Sequence, residues 1–143
     1  MSSPIQASAS YSHETSASAA TVWAFFEDVQ LWKDWNAGVY SCVLEGPFIQ
    51  GVWMTMVLPD QQVIKSQLVE VNAPIGFTDE TVLGDVTVRV KHEIIALPNG
   101  NHSIVYSIDV TGEDAEDICA QVSSDFPDVL HALVVLAEST LSV

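Results

Sequence analysis

The chain has 143 residues and carries nineteen acidic side chains against only Lys33, Lys65, Arg89 and Lys91, a formal net charge of −15. That imbalance repels phosphate backbones and anionic lipids, so no nucleic-acid partner and no membrane partner is expected. With 48% apolar residues the chain is not disordered, and residues 1–143 suffice for the core of one domain but not two.

Residues 1–6 read as a loose leader without the basic and apolar regions of a signal peptide. No apolar run reaches the ~20 residues of a membrane span, and a cytoplasmic protein is the expectation. Residues 7–15 are small and polar around Tyr11, with the weak alternation of an edge strand. Ser16 or Ser18 then offers a helix cap for the short helix Ala19–Phe26. A second helical piece, Val29–Trp35, is closed by Asn36-Ala37-Gly38.

From Val39 the hydrophobic period shortens. Val39–Leu44, Gly51–Leu58, Val63–Val71, Phe77–Leu83, Val86–Leu97 and His102–Thr111 are strand-like runs separated by Pro-, Gly- and Asn-containing breaks. Short breaks between consecutive strands predict an antiparallel meander. The last stretch, Glu113 to about Glu138, repeats Ile118, Val122, Phe126, Val129, Leu130, Leu133 and Ala137 at helical spacing. Thr111 offers a capping hydroxyl and the following acids suit the positive end of the helix dipole. Pro127 sits inside this stripe and predicts a kink, since the stripe continues past it.

Several local sequences fit a known pattern: Val22-Trp23, Asp28, Trp32 to Trp35, Glu45-Gly46-Pro47-Phe48 to Gly51, and Val69-Glu70-Val71-Asn72-Ala73-Pro74. Asp125-Phe126-Pro127, followed by Leu130 and Leu133, completes it. Together they resemble the START/SRPBCC superfamily, in its polyketide cyclase/dehydratase and lipid-transport branch. The resemblance implies an α+β helix-grip fold. In it a curved antiparallel sheet of about seven strands wraps a long C-terminal helix, with two short helices after the first strand. It also implies a cavity between sheet and helix that often holds an apolar ligand.

The final hairpin can be taken further from its residues. Val86, Val88, Val90, His92 and Ile94 alternate with Thr87, Arg89, Lys91 and Glu93; Ile104, Tyr106, Ile108 and Val110 alternate with Ser103, Ser107 and Asp109. Only an odd loop keeps both apolar faces on one side, and Pro98-Asn99-Gly100 with glycine in the left-handed position supplies it. That register sets His92 directly opposite Tyr106, with β-carbons about 5 Å apart on the cavity side. The pair is either a core histidine and tyrosine satisfying each other, or a polar handle for a ligand, or an acid/base pair.

The expected ligand wall comprises His92, Tyr106, Val88, Val90 and Ile108 from the hairpin, Met54 and Met56 from one strand face, Trp35, and Phe126 and Leu130 from the helix. No metal is expected, because His13, His92, His102 and His131 are scattered, and no cofactor fingerprint is present. Cys42 and Cys119 fit no redox or metal spacing and are expected to stay reduced. Three functions follow: binding of a small hydrophobic ligand, a cyclase, aromatase or dehydratase enzyme with His92 and Tyr106 as catalytic candidates, or a structural module with a filled interior. Arg89 and Lys91 fall on the outer face in this register, which leaves few polar groups for catalysis and favours binding.

Overall fold

The computed structural model describes residues 5–139. Strand β1 (Gln6–Thr15) is followed by helix α1 (Ala19–Glu27), a 3-10 turn (Val29–Leu31) and helix α2 (Trp32–Trp35). Six strands come next: β2 (Ser41–Leu44), β3 (Trp53–Val57), β4 (Val63–Asn72), β5 (Gly76–Leu83), β6 (Val86–Ala96) and β7 (His102–Thr111). Helices α3 (Ala115–Ser123) and α4 (Phe126–Ser139) end the described chain. The seven strands form one open antiparallel sheet in the order β1-β7-β6-β5-β4-β3-β2, so the strand nearest the N-terminus closes onto the last hairpin.

Ser18 caps α1, its hydroxyl accepting from the Thr21 N–H at 3.2 Å. Gln6, expected in the leader, is already in β1, while residues 1–4 lie outside the described residues. Val39, expected in a strand, instead closes the turn after α2 by donating to the Asn36 carbonyl.

The C-terminal helical stretch is broken in two at Ser124–Asp125. Pro127 has no N–H, and its ring collides with the carbonyl four residues back, so the α3 hydrogen-bond ladder cannot run through it. In the first turn of α4 that missing N–H needs no partner. Ser123 and Ser124 close α3 by donating their hydroxyls to the Cys119 and Gln121 carbonyls, at 2.7 and 2.9 Å. The apolar stripe then resumes, with Phe126, Val129, Leu130, Leu133 and Ala137 buried. At the other end of α3 the expected hydroxyl cap is absent: Thr111 ends β7, and the cap position is Asp114 in a left-handed conformation without a side-chain cap bond.

The β6–β7 loop has the expected odd length: Leu97 N–H bonds the Asn101 carbonyl at 2.9 Å, and Gly100 adopts φ +88°. His92 consequently faces Tyr106, and Ile94 faces Ile104. Arg89 and Lys91 project outward, to Glu80 at 2.7 Å and Glu93 at 3.7 Å. Beneath the inner face, Phe26, Phe77, His92 and Tyr106 form an aromatic cluster with Trp32 and Trp35.

Candidate functional site

A cavity of about 300 Å³ lies between the inner face of the sheet, α2 and the α3–α4 junction. The strands give it Met56, Val88, Val90, His92 and Tyr106. Trp32 and Trp35 of α2 form one side, and Val122, Asp125 and Phe126 another. Its walls are mainly apolar, so its few polar atoms decide what it can hold.

Tyr106 and Trp35 are 2% and 3% exposed, and the Tyr106 hydroxyl and Trp35 Nε1 have no hydrogen-bond partner among the described residues. The neighbouring indoles are different: Trp32 Nε1 donates to the Phe26 carbonyl at 3.0 Å and Trp23 Nε1 to Glu27 at 3.2 Å. A buried donor left unpaired costs about 1–3 kcal/mol, so these two groups are the polar atoms of the wall that would gain most from a partner. Burial, then the charges of Asp79 and Asp125, push the Tyr106 phenol well above its ordinary pKa.

His92 and Tyr106 are neighbours, as expected, but do not hydrogen-bond each other. The His92 ring stacks on Phe77 at 4.0 Å and 9° and meets Tyr106 edge-on at 4.5 Å. Its Nδ1 donates to the Phe77 carbonyl over 3.4 Å, rather than pairing with the tyrosine hydroxyl. Burial drives its pKa down to about 3, against the opposing effect of the Phe77 and Val90 carbonyls. A neutral, stacked imidazole is a flat wall of the cavity and a poor base near neutrality.

The sequence reading missed Asp79. In β5 the residues Phe77, Asp79, Thr81 and Leu83 alternate inward, and the register places Asp79 between Leu68 of β4 and Val90 of β6. Burial raises its carboxyl to about pKa 7, offset in part by its own backbone N–H. The same charge, after burial, helps push the Cys42 thiol up to about 12. Strand alternation was the available signal, because Phe77 at one end and Asp79 two residues on must share a face. Asp125, at the α3–α4 junction, is also raised, by burial first, then by Asp128 against its own backbone N–H.

Three expected wall residues lie elsewhere. Met54, Ile108 and Leu130 are buried core residues outside the cavity lining. Met54 is closed in between Leu44 and Ser66, and Met56 two residues along takes the wall position. Ile108 sits between Ala9 and Val90 on the part of the sheet that α3 covers. Leu130 is one turn beyond Phe126 on α4, against which α1 and α2 pack. Trp53 is 45% exposed on the outer face. Cys42 and Cys119 are buried and free. No group of three or more metal-ligating side chains occurs among the described residues, and no helix among them is long and apolar enough to cross a membrane.

The fold is shared widely among solved structures. A point mutant of norcoclaurine synthase from Thalictrum flavum, in complex with a transition-state analogue, superposes with TM-score 0.75 over 98% of this chain and 99% of that one, at 11% identity. Ara h 8.0201 gives TM-score 0.72 over 94% and 99%, at 12% identity. A protein from Rhizobium leguminosarum gives 0.70 over 96% and 97%, at 15% identity. Among curated proteins, none matches the sequence. The family described as polyketide cyclase / dehydrase and lipid transport matches residues 6–138, and the chain belongs to that family.

Proposed function

We propose that the protein binds a small, largely apolar molecule in the cavity between sheet and helices, with the polar end of that molecule set against Tyr106 and Trp35. The observation that carries this reading is an apolar-walled cavity with two lining residues, Tyr106 and Trp35, that each hold a buried polar atom without a hydrogen-bond partner among the described residues. A volume of about 300 Å³ is at the small end for ligand sites, which suits a molecule of one or two rings. Trp35 Nε1 can only donate, so it calls for an oxygen on the ligand or a water; the Tyr106 hydroxyl can donate or accept. Membership in a family named for cyclase, dehydrase and lipid-transport proteins agrees with a ligand site without naming the ligand.

An enzymatic reading is supported by Asp79. A carboxyl near pKa 7 inside a cavity can give or take a proton at neutral pH, which His92 at about 3 cannot. Catalysis at this site would therefore rest on Asp79 with Tyr106, in place of the His92–Tyr106 pair. Native mass spectrometry of the freshly purified protein tests the binding reading. A fraction of molecules carrying an extra small mass, released under denaturing conditions, is the expected result. An entirely bare protein that also takes up nothing from a panel of one- and two-ring compounds would overturn it.

A further inference from the structure

The cationic side chains of this protein are all on its outside. Lys33, Lys65, Arg89 and Lys91 are exposed, and the last two are engaged with Glu80 and Glu93 on the outer face of the sheet. The cavity wall, by contrast, carries the carboxyls of Asp79 and Asp125 and no lysine or arginine among the described residues. Both carboxyls act on the hydroxyl of Tyr106, a residue of the same wall; that hydroxyl is buried and has no partner among the described residues. Acid groups and an unpaired hydroxyl in a mostly apolar space form a site whose counter-ion the chain itself does not provide.

We propose that the cavity takes an apolar molecule carrying a protonated amine, with the ammonium group against Asp79 and the Tyr106 oxygen, and rejects carboxylates and phosphates. This rests on the reading of the cavity as a ligand site. An ammonium group has only donors to offer, and a carboxylate and a phenol oxygen are acceptors for it. The aromatic rings of Trp35 and Phe126 in the same wall can add cation–π attraction. Asp79 is buried, where charge is screened less than in bulk water, so an anion placed beside its carboxylate is repelled. The net charge of −15 acts in the same direction at long range, drawing cations in and turning anions away.

The groups facing Asp79 are Cys42 from β2, His92 from β6, Tyr106 from β7 and Asp125 from the helix junction, with Asp128 beside Asp125. His92 stays neutral because burial holds it near 3, and Cys42 stays a thiol because burial holds it near 12. Ionisation of Asp79, with Asp125 beside it, therefore governs the charge of the site near neutrality. An alkyl ammonium stays protonated to about pH 10, so its affinity should rise as the pH passes upward through the Asp79 transition.

The test is a charge series of one shape: phenethylamine, 2-phenylethanol and 3-phenylpropanoate, each titrated at pH 8 and followed through the Trp35 indole N–H signal in 15N NMR. That signal is identified by its loss in Trp35→Phe. The expected order is amine tighter than alcohol by roughly tenfold or more, with the carboxylate weakest. Asp79→Asn, whose spectrum confirms its fold, should bring amine and alcohol to within about twofold of each other. Equal binding of amine and alcohol by the native protein, or tighter binding of the carboxylate, overturns the amine inference and leaves the ligand cavity standing. If none of the three moves the Trp35 signal, both the inference and the ligand-site reading fall.

Discussion

Replacing Asp79 by asparagine should stabilise the protein, and only towards alkaline pH. Burial lifts the native carboxyl from 3.8 to about 7, so the folded chain holds this proton more tightly than the unfolded chain does. Below about pH 4 the carboxyl is protonated in both states and costs nothing. From there to about pH 7 the unfolded chain releases its proton first and stability falls; above that the loss is complete. The whole displacement corresponds to a ceiling of about 4 kcal/mol. Water entering the cavity solvates the carboxylate and brings the expected cost to about 1–3 kcal/mol. Asparagine keeps the shape and has no charge to bury. Urea unfolding of both proteins, followed by circular dichroism from pH 3 to 8.5, measures the difference. It should be near zero at the acid end and reach about 1–3 kcal/mol in favour of Asp79→Asn at the alkaline end. A difference independent of pH, or one that grows towards acid, would refute the burial of a titrating carboxyl at this position.

His92 should remain neutral in the native protein at pH 5, since burial holds it near 3; ring NMR shifts report this, and a midpoint between 6 and 7 would contradict it. Its stabilising share is present above about pH 6.5 and is lost as the pH falls towards 3, so acid unfolding should begin with this ring. Gly112 turns the chain from β7 into α3 at φ +133°, where an added β-carbon would lie 2.7 Å from the Asp85 carbonyl oxygen. Gly112→Ala should therefore cost about 1–3 kcal/mol by thermal or urea unfolding, and a neutral substitution would show that this turn relaxes freely. With nineteen acids against four lysines and arginines, Tm should climb as sodium chloride rises from very dilute to about 0.2 M. A flat or falling curve would show that the carboxylates are already well separated.

Much of the architecture was legible because it depends on periodicity and turn chemistry. Alternation in β6 and β7, with the odd Pro98-Asn99-Gly100 loop, is enough to put His92 opposite Tyr106. The apolar stripe from Ile118 to Ala137 identified the helical stretch, and Pro127, expected to kink it, lies just past the turn that divides it in two. The site was less legible. Which inward residues face a void and which face neighbours depends on how α2 and the helix junction sit over the sheet. Strand patterns do not encode that, so Met54 and Met56 were indistinguishable although only Met56 lines the cavity. The chemistry of His92 was likewise hidden. Its neutrality comes from Phe77, Phe26 and Tyr106 packing around it, partners set by the strand register and by α1. Asp79 was legible in principle, as an acid sharing a strand face with Phe77.

If the space beneath β6 is a ligand site, blocking it from within should abolish binding. Val90 lines the cavity from the middle of β6, and Val90→Trp would fill much of the volume while leaving the sheet hydrogen bonds in place. The measurement is equilibrium binding of a neutral solvatochromic dye to the native and Val90→Trp proteins, with near-UV circular dichroism confirming that both are folded. The native protein should bind one dye per chain with blue-shifted emission, and Val90→Trp should lose that binding by tenfold or more. A native protein that binds no dye, or equal binding by the two, would contradict a ligand site beneath β6.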